Sequence, residues 1–136
     1  MTEITPQEAL IYVMIVTSAA DNDMTDAELK RIGALVRTLP AFRSFDEDRL
    51  MEAARHCQQM LQADDGLDKV LETVRASLPE KAYDTAYALA IDIAAADLSV
   101  NQVELRILQL LRDRLDLDKL TTAAIERGAR ARYRVI

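Results

Sequence analysis

Residues 19–29 read AADNDMTDAEL and residues 95–105 read AADLSVNQVEL. Five of the eleven positions are identical, so Asp21 and Glu28 recur 76 residues later as Asp97 and Glu104. Each stretch closes a nearly all-apolar run, ALIYVMIV at 9–16 and AYALAIDIAAA at 86–96. Each also ends on a helix-start signature. Thr25-Asp26-Ala27-Glu28 is a capping box, in which a hydroxyl and a carboxylate satisfy backbone N–H groups reciprocally, and Asn101-Gln102-Val103-Glu104 is its asparagine version. The order apolar helix, short acidic loop, capped helix is therefore spelled twice.

Working outward from these two corners, the rest of the chain also reads as helix. Thr5-Pro6-Gln7-Glu8 is another capping box with proline at the first helical position, and Ser44-Phe45-Asp46-Glu47 is a further one. Leu29, Ile32, Leu35, Val36 and Leu39 follow a 3.6-residue period, as do Val103, Ile107, Leu110 and Leu111. Pro40 and Pro79 fall where helices should end. These signals predict helices near 6–20, 26–39, 46–63, 67–77, 80–96, 102–115 and 117–133. The first and fifth lack a polar face, which predicts that they form the centre with the others packed outside.

The repetition continues past the quoted stretches. Leu35 and Leu39 match Leu111 and Leu115, after which the offset falls to 70 and Asp46–Ala54 aligns with Asp116–Ala124. The difference is the connector 40–45. The expected fold is all-α: about seven helices in a compact single-domain bundle over 1–136, built from two pseudo-symmetric three-helix repeats. Repeat one covers about 5–63, a connecting helix about 66–78, and repeat two about 80–133.

Composition agrees. Half of the 136 residues are apolar, yet there are only three Gly, three Pro, four Tyr, two Phe and no Trp, which favours helix over sheet. A single cysteine, Cys57, rules out an internal disulfide framework and fits a reducing compartment. The net charge of −6 disfavours nucleic acid, whose phosphates need Lys and Arg, and favours cations or basic surfaces. The N-terminal stretch has no basic start, and its apolar run is broken by Thr17 and Ser18, so neither a secretory signal nor a transmembrane segment is expected. The expected location is the cytoplasm.

The acids carry the chemistry. A carboxylate at a helix C-terminus opposes the helix dipole and needs compensation. For Asp21 and Asp97 that is either loop amides in an Asx-type turn or a bound cation shared with Glu28 and Glu104. Asp21, Asp23, Asp26 and Glu28 put four carboxylates into eight residues, and hard oxygen ligands suit calcium or magnesium. The spacing is not that of an EF-hand, which needs a glycine at position six and a closing Glu at twelve. The second loop, with Asp97, Ser99 and Glu104, is poorer in acid. The candidate metal ligands are Asp21, Asp23, Glu28, Asp97 and Glu104, with capping and turn formation as the competing explanation.

Asp92 interrupts the fifth helix and needs either an arginine partner, such as Arg31 or Arg55, or a place among the acidic ligands. His56 and Cys57 are adjacent, so on a helix they point about 100° apart and form no nucleophile–base pair. With no second histidine, no G-x-S-x-G and no glycine-rich loop, nothing here points to catalysis. Arg127, Arg130, Arg132 and Arg134 form a basic tail, read either as a solvated helix end or as a contact for an acidic partner or anionic lipid headgroups.

An apolar helix ending in Ala-Ala-Asp, followed seven residues later by Glu and present twice, resembles the TerB-like tellurite-resistance family, most clearly over 8–40 and 84–116. The resemblance implies a small, cytoplasmic, all-helical domain with internal duplication, linked to tellurite resistance and wider stress responses. It implies a metal-binding or scaffolding module without established enzymatic activity, acting with protein partners, some at the inner face of the membrane. The family's acidic frame maps onto Asp21 and Glu28, and onto Asp97 and Glu104. The commoner Asp-Gly start is replaced by Asn22 and Leu98; asparagine accepts a left-handed turn and leucine does so poorly.

Overall fold

The computed structural model describes residues 4–19, 24–96 and 102–136. Seven α-helices occur among them: α1 (Pro6–Ser18), α2 (Asp26–Thr38), α3 (Leu50–Gln62), α4 (Gly66–Ser77), α5 (Tyr83–Ala96), α6 (Gln102–Arg114) and α7 (Lys119–Arg132). Single 3-10 turns, Pro40–Phe42, Glu47–Arg49 and Glu80–Ala82, precede α3 and α5. No strand interrupts the described residues.

The centre is where the apolar runs place it. Every residue of α1 from Ala9 to Thr17 is buried, and α1 packs along α5, whose Ala86, Tyr87, Leu89, Ala90, Ile91, Ile93 and Ala94 are buried as well. Each fully buried Ile, Leu, Val or Met side chain contributes about 1.5–3 kcal/mol. The buried hydroxyl of Thr17 donates back to the Val13 carbonyl at 2.9 Å. Around this pair, α3 and α4 lie on α1, and α7 lies on α5. α6 touches α1, α4 and α5. The intermediate helix α4 buries Val70, Leu71 and Val74 and is tied to α6 by an ion pair between Arg114 and Asp68.

The capping boxes at Thr5 and Thr25 form as expected: each threonine Oγ1 accepts from the third residue's N–H at 3.1 Å, and Glu8 and Glu28 each accept from the threonine N–H at 2.9 Å. The box expected at Ser44 does not form. Ser44 takes φ 67°, and Asp46 becomes the cap, accepting from the Asp48 N–H at 3.0 Å, so α3 proper starts only at Leu50. The reason lies in the connector. Pro40 opens a 3-10 turn that drives Phe42 into the core, edge-on to Phe45, and Gln7 of α1 holds it by donating to the carbonyls of Ala41 and Arg43 at 3.1 and 3.0 Å. The six extra residues are thus a packed element.

A similar shift occurs before α7. The Leu117 N–H donates to the Arg112 carbonyl at 3.2 Å, a Schellman bond, with Asp116 at φ 51° in the position glycine usually takes. Asp118 then caps α7 by accepting from the Thr121 N–H and hydroxyl, both at 2.8 Å. In both connectors a left-handed residue stands two positions before an aspartate cap. The backbone therefore aligns Asp46 with Asp118, whereas the sequence pairs Asp46 with Asp116.

One glycine is demanded by close approach. A Cβ on Gly66 would lie 2.4 Å from the Met60 carbonyl oxygen and 2.6 Å from that of Leu61, both backbone atoms that cannot step aside. Gly128, inside α7, would meet only the flexible end of Arg132 at 3.3 Å. Chemical denaturation is therefore expected to show Gly66→Ala destabilised by about 2–3 kcal/mol, and Gly128→Ala stabilised by about 0.4–1 kcal/mol. The hydrogen bonds from Thr121 hold the Asp118 carboxyl below its ordinary range, so the anion stabilises the fold. That contribution is complete above the ordinary carboxylate pKa and is lost as pH falls through the lowered value. Melting curves from pH 7 to 2 should show Asp118→Ala less stable than wild type at neutral pH, with the gap closing in acid.

Candidate functional site

Of the five acids singled out from the sequence, Asp21, Asp23 and Asp97 lie outside the described residues, as do Asn22, Leu98 and the Asn101 cap. The two glutamates are described, and their settings differ. Glu28, half-buried in the first turn of α2, uses Oε1 to close the capping box on Thr25. Among the described residues, nothing engages its Oε2. Glu104, in the first turn of α6, is only 8 % exposed, and it is engaged by an interaction partner. A carboxylate withdrawn from water to this extent requires such a partner. No three His, Cys, Asp or Glu side chains converge on a common point among the described residues.

Asp92 has an arginine partner, but not one of the two named from the sequence. Its partner is neither Arg31 nor Arg55 but Arg132 in the last turn of α7, at 2.7 Å. The side chain leaves α5 on the face that α7 covers, so an arginine forty residues away reaches it first. Arg132 also lies over the Tyr133 ring, 5.8 Å from its centroid. This pairing uses Asp92 as an anchor for the C-terminal helix. Arg127, Arg130 and Arg134 remain exposed.

Of the other reactive side chains, Cys57 is placed for packing and His56 faces solvent. His56 is exposed and Cys57 is fully buried, so they do face apart. Burial pushes the Cys57 thiol up to about 12, and its Sγ lies 3.9 Å from the Tyr12 carbonyl as a weak donor. Burial, together with the nearby Cys57 and Glu8, also raises the Tyr12 hydroxyl to about 12.

A polar cluster with no counterpart among the sequence motifs joins α5, α6 and α7. The buried Tyr87 hydroxyl donates to Glu126 Oε2, and Arg112 Nη1 donates to the same oxygen at 3.0 Å and to the Tyr87 hydroxyl at 3.3 Å. Burial first, then the bond to Glu126, raises the Tyr87 pKa, which keeps its proton in place as a donor. Arg112 and Glu126 are 25 and 39 positions from Tyr87 in sequence, and the only local hint is a tyrosine within an alanine-rich helix.

Among the described residues the chain is a seven-helix, all-α domain built around two nearly faceless central helices. A family model described as tellurite resistance protein TerB matches residues 7–127, nearly the whole chain, and the protein belongs to that family. No curated protein and no solved structure matches the chain. Among the described residues, no helix is long and apolar enough to cross a membrane.

The Asp92–Arg132 pair is largely open to water at the arginine end, with side-chain exposures of 20 % and 56 %. Urea denaturation of Arg132→Ala is expected to show a loss within about 1 kcal/mol. A larger loss, reaching the range of a buried pair broken on one side, would mean that Asp92 is held in a drier setting than its exposure indicates.

Proposed function

We propose that this chain is a non-enzymatic TerB-like module of a stress or tellurite-response system, acting in the cytoplasm, which binds a divalent cation or a partner protein through its acidic loops. The single observation that carries this reading is the division of labour at Glu28. One carboxylate oxygen is fixed by the Thr25 N–H at 2.9 Å, and the other has no partner among the described residues. A carboxylate anchored through one oxygen presents the second at a defined position, which is the preorganisation a hard-cation site needs. The sequence places Asp21 and Asp23 immediately upstream. Calcium and magnesium are the ions that this ligand chemistry favours.

The pairing of α1 with α3 and of α5 with α7 supports reading the chain as a duplicated three-helix unit, with Asp97 and Glu104 as the second corner. The corners then differ in use. Glu28 stands half in solvent, whereas Glu104 is buried and engaged, so the first corner is the better placed to receive an ion from solution.

The completed capping box favours a second reading, in which the acids only start helices and the protein is an interaction adaptor. Calorimetric titration with calcium, magnesium and manganese separates the two. The metal reading expects saturable heat in wild type and its loss in Glu28→Gln, while glutamine still accepts from Thr25 and stability stays within about 0.5 kcal/mol of wild type. No heat in wild type, or unchanged heat in Asp21→Ala combined with Glu28→Ala, removes it. Capture of a defined partner that survives neutralising both frames then favours the adaptor.

A further inference from the structure

Both α6 and α7 lie on α5, but they make few contacts with each other, and the space between them is a groove of about 360 Å³. Small side chains keep it open: Ala94 and Ala95 of α5 and Ala129 of α7 line it where larger residues would fill it. Ile91 and Leu108 form its apolar floor, each only 7 % exposed, and Leu105 stands at the rim, 54 % exposed. Along α5 the lining runs from Tyr87 to Ala95, about 12 Å at the helical rise of about 1.5 Å per residue. The volume lies in the range of small-molecule sites, about 300–1,000 Å³. The counterpart space between α2 and α3 is smaller, about 230 Å³, and carries Asp26.

The polar lining is chemically one-sided. It consists of the Tyr87–Glu126–Arg112 cluster together with Arg130, one turn beyond Glu126 on α7. Arg130 is exposed and makes no ion pair or hydrogen bond with any described residue. Arg112 spends Nη1 on Glu126 and Tyr87, and a guanidinium has five N–H donors in a fork that suits a carboxylate. Among the described residues, two cations against one anion make the groove lining positive, on a chain whose net charge is −6.

We propose that this groove binds a small amphipathic carboxylate of the medium-chain fatty-acid type. Its hydrocarbon lies over Ile91, Leu108 and Leu105, and its carboxylate is shared by Arg130 and the outer edge of Arg112. A partner helix is the less favoured occupant. Among the described residues, Leu105 is the single large apolar side chain that the lining exposes, far short of the apolar face a docked helix covers, whereas the floor is reached by entering the groove.

The test is titration of the full chain with decanoate below its micellar concentration, followed by calorimetry and by amide NMR shifts. Saturable one-to-one binding is expected, with shifts confined to α5, α6 and α7. Arg130→Gln should weaken it about three- to ten-fold. Ala95→Leu should abolish it by filling the groove. Because Ala95 is partly buried, Leu105→Glu at the exposed rim provides a second variant that leaves folding intact, and it should abolish binding through repulsion of the carboxylate and loss of apolar cover. The proposal is overturned by the absence of saturable decanoate binding, by decanol binding as tightly as decanoate, by affinity unchanged in both Arg130→Gln and Leu105→Glu, or by an acidic amphipathic peptide occupying the groove that decanoate does not.

Discussion

The contact between α1 and α5 is the constraint on which the remaining structure depends. Neither helix has a polar face to offer water, since α1 is buried from Ala9 to Thr17 and α5 over most of its length. Two such helices cannot cover each other completely, because each is a cylinder and the other shields only one side. The five amphipathic helices supply the missing cover, and their order around the pair follows from which side each central helix leaves open. α3 and α4 close one flank of α1, and α7 closes α5. The buried hydroxyl of Thr17 is satisfied without leaving the core, by returning to the Val13 carbonyl.

That arrangement separates structural from functional surfaces. Since the core is committed to the central pair, the places where chemistry can occur are helix junctions and gaps between outer helices. The described part of the first acidic corner is such a junction, with α2 starting at Asp26 behind the box that Thr25 forms with Glu28. The α6–α7 groove is a gap, kept open because both helices rest on α5 and α5 presents alanines there.

Helices and their order were legible because local rules governed them. Proline at the first helical position, Thr-x-x-Glu boxes and a 3.6-residue apolar period each act within a few residues, and the structure follows them at Thr5 and Thr25. Where a non-local contact intervened, the local reading slipped. Ser44 looked like a cap, but the burial of Phe42 and the grip of Gln7 on the connector rotate the chain so that Asp46 takes that role. Asp92 calls for an arginine partner, but which arginine depends on packing, and the docking of α7 supplies Arg132. At the candidate site, Glu28 was identified by its box, while the burial of Glu104 and the Tyr87–Arg112–Glu126 cluster depend on which helices touch. Periodicity shows that a helix has a buried face but does not show which neighbour meets it.

The burial of Cys57 has a practical side. With its thiol inside the core and its ionisation displaced to about 12, almost none of it is thiolate at neutral pH, and the thiolate is the form that alkylating reagents attack. The native chain is therefore silent toward maleimide chemistry while folded. A cysteine placed on the surface can carry a spin label or fluorophore alone, without first replacing the natural one. The same silence turns Cys57 into a clock for opening of the α1–α3 contact, since its labelling rate reports how often that part of the core is exposed to solvent.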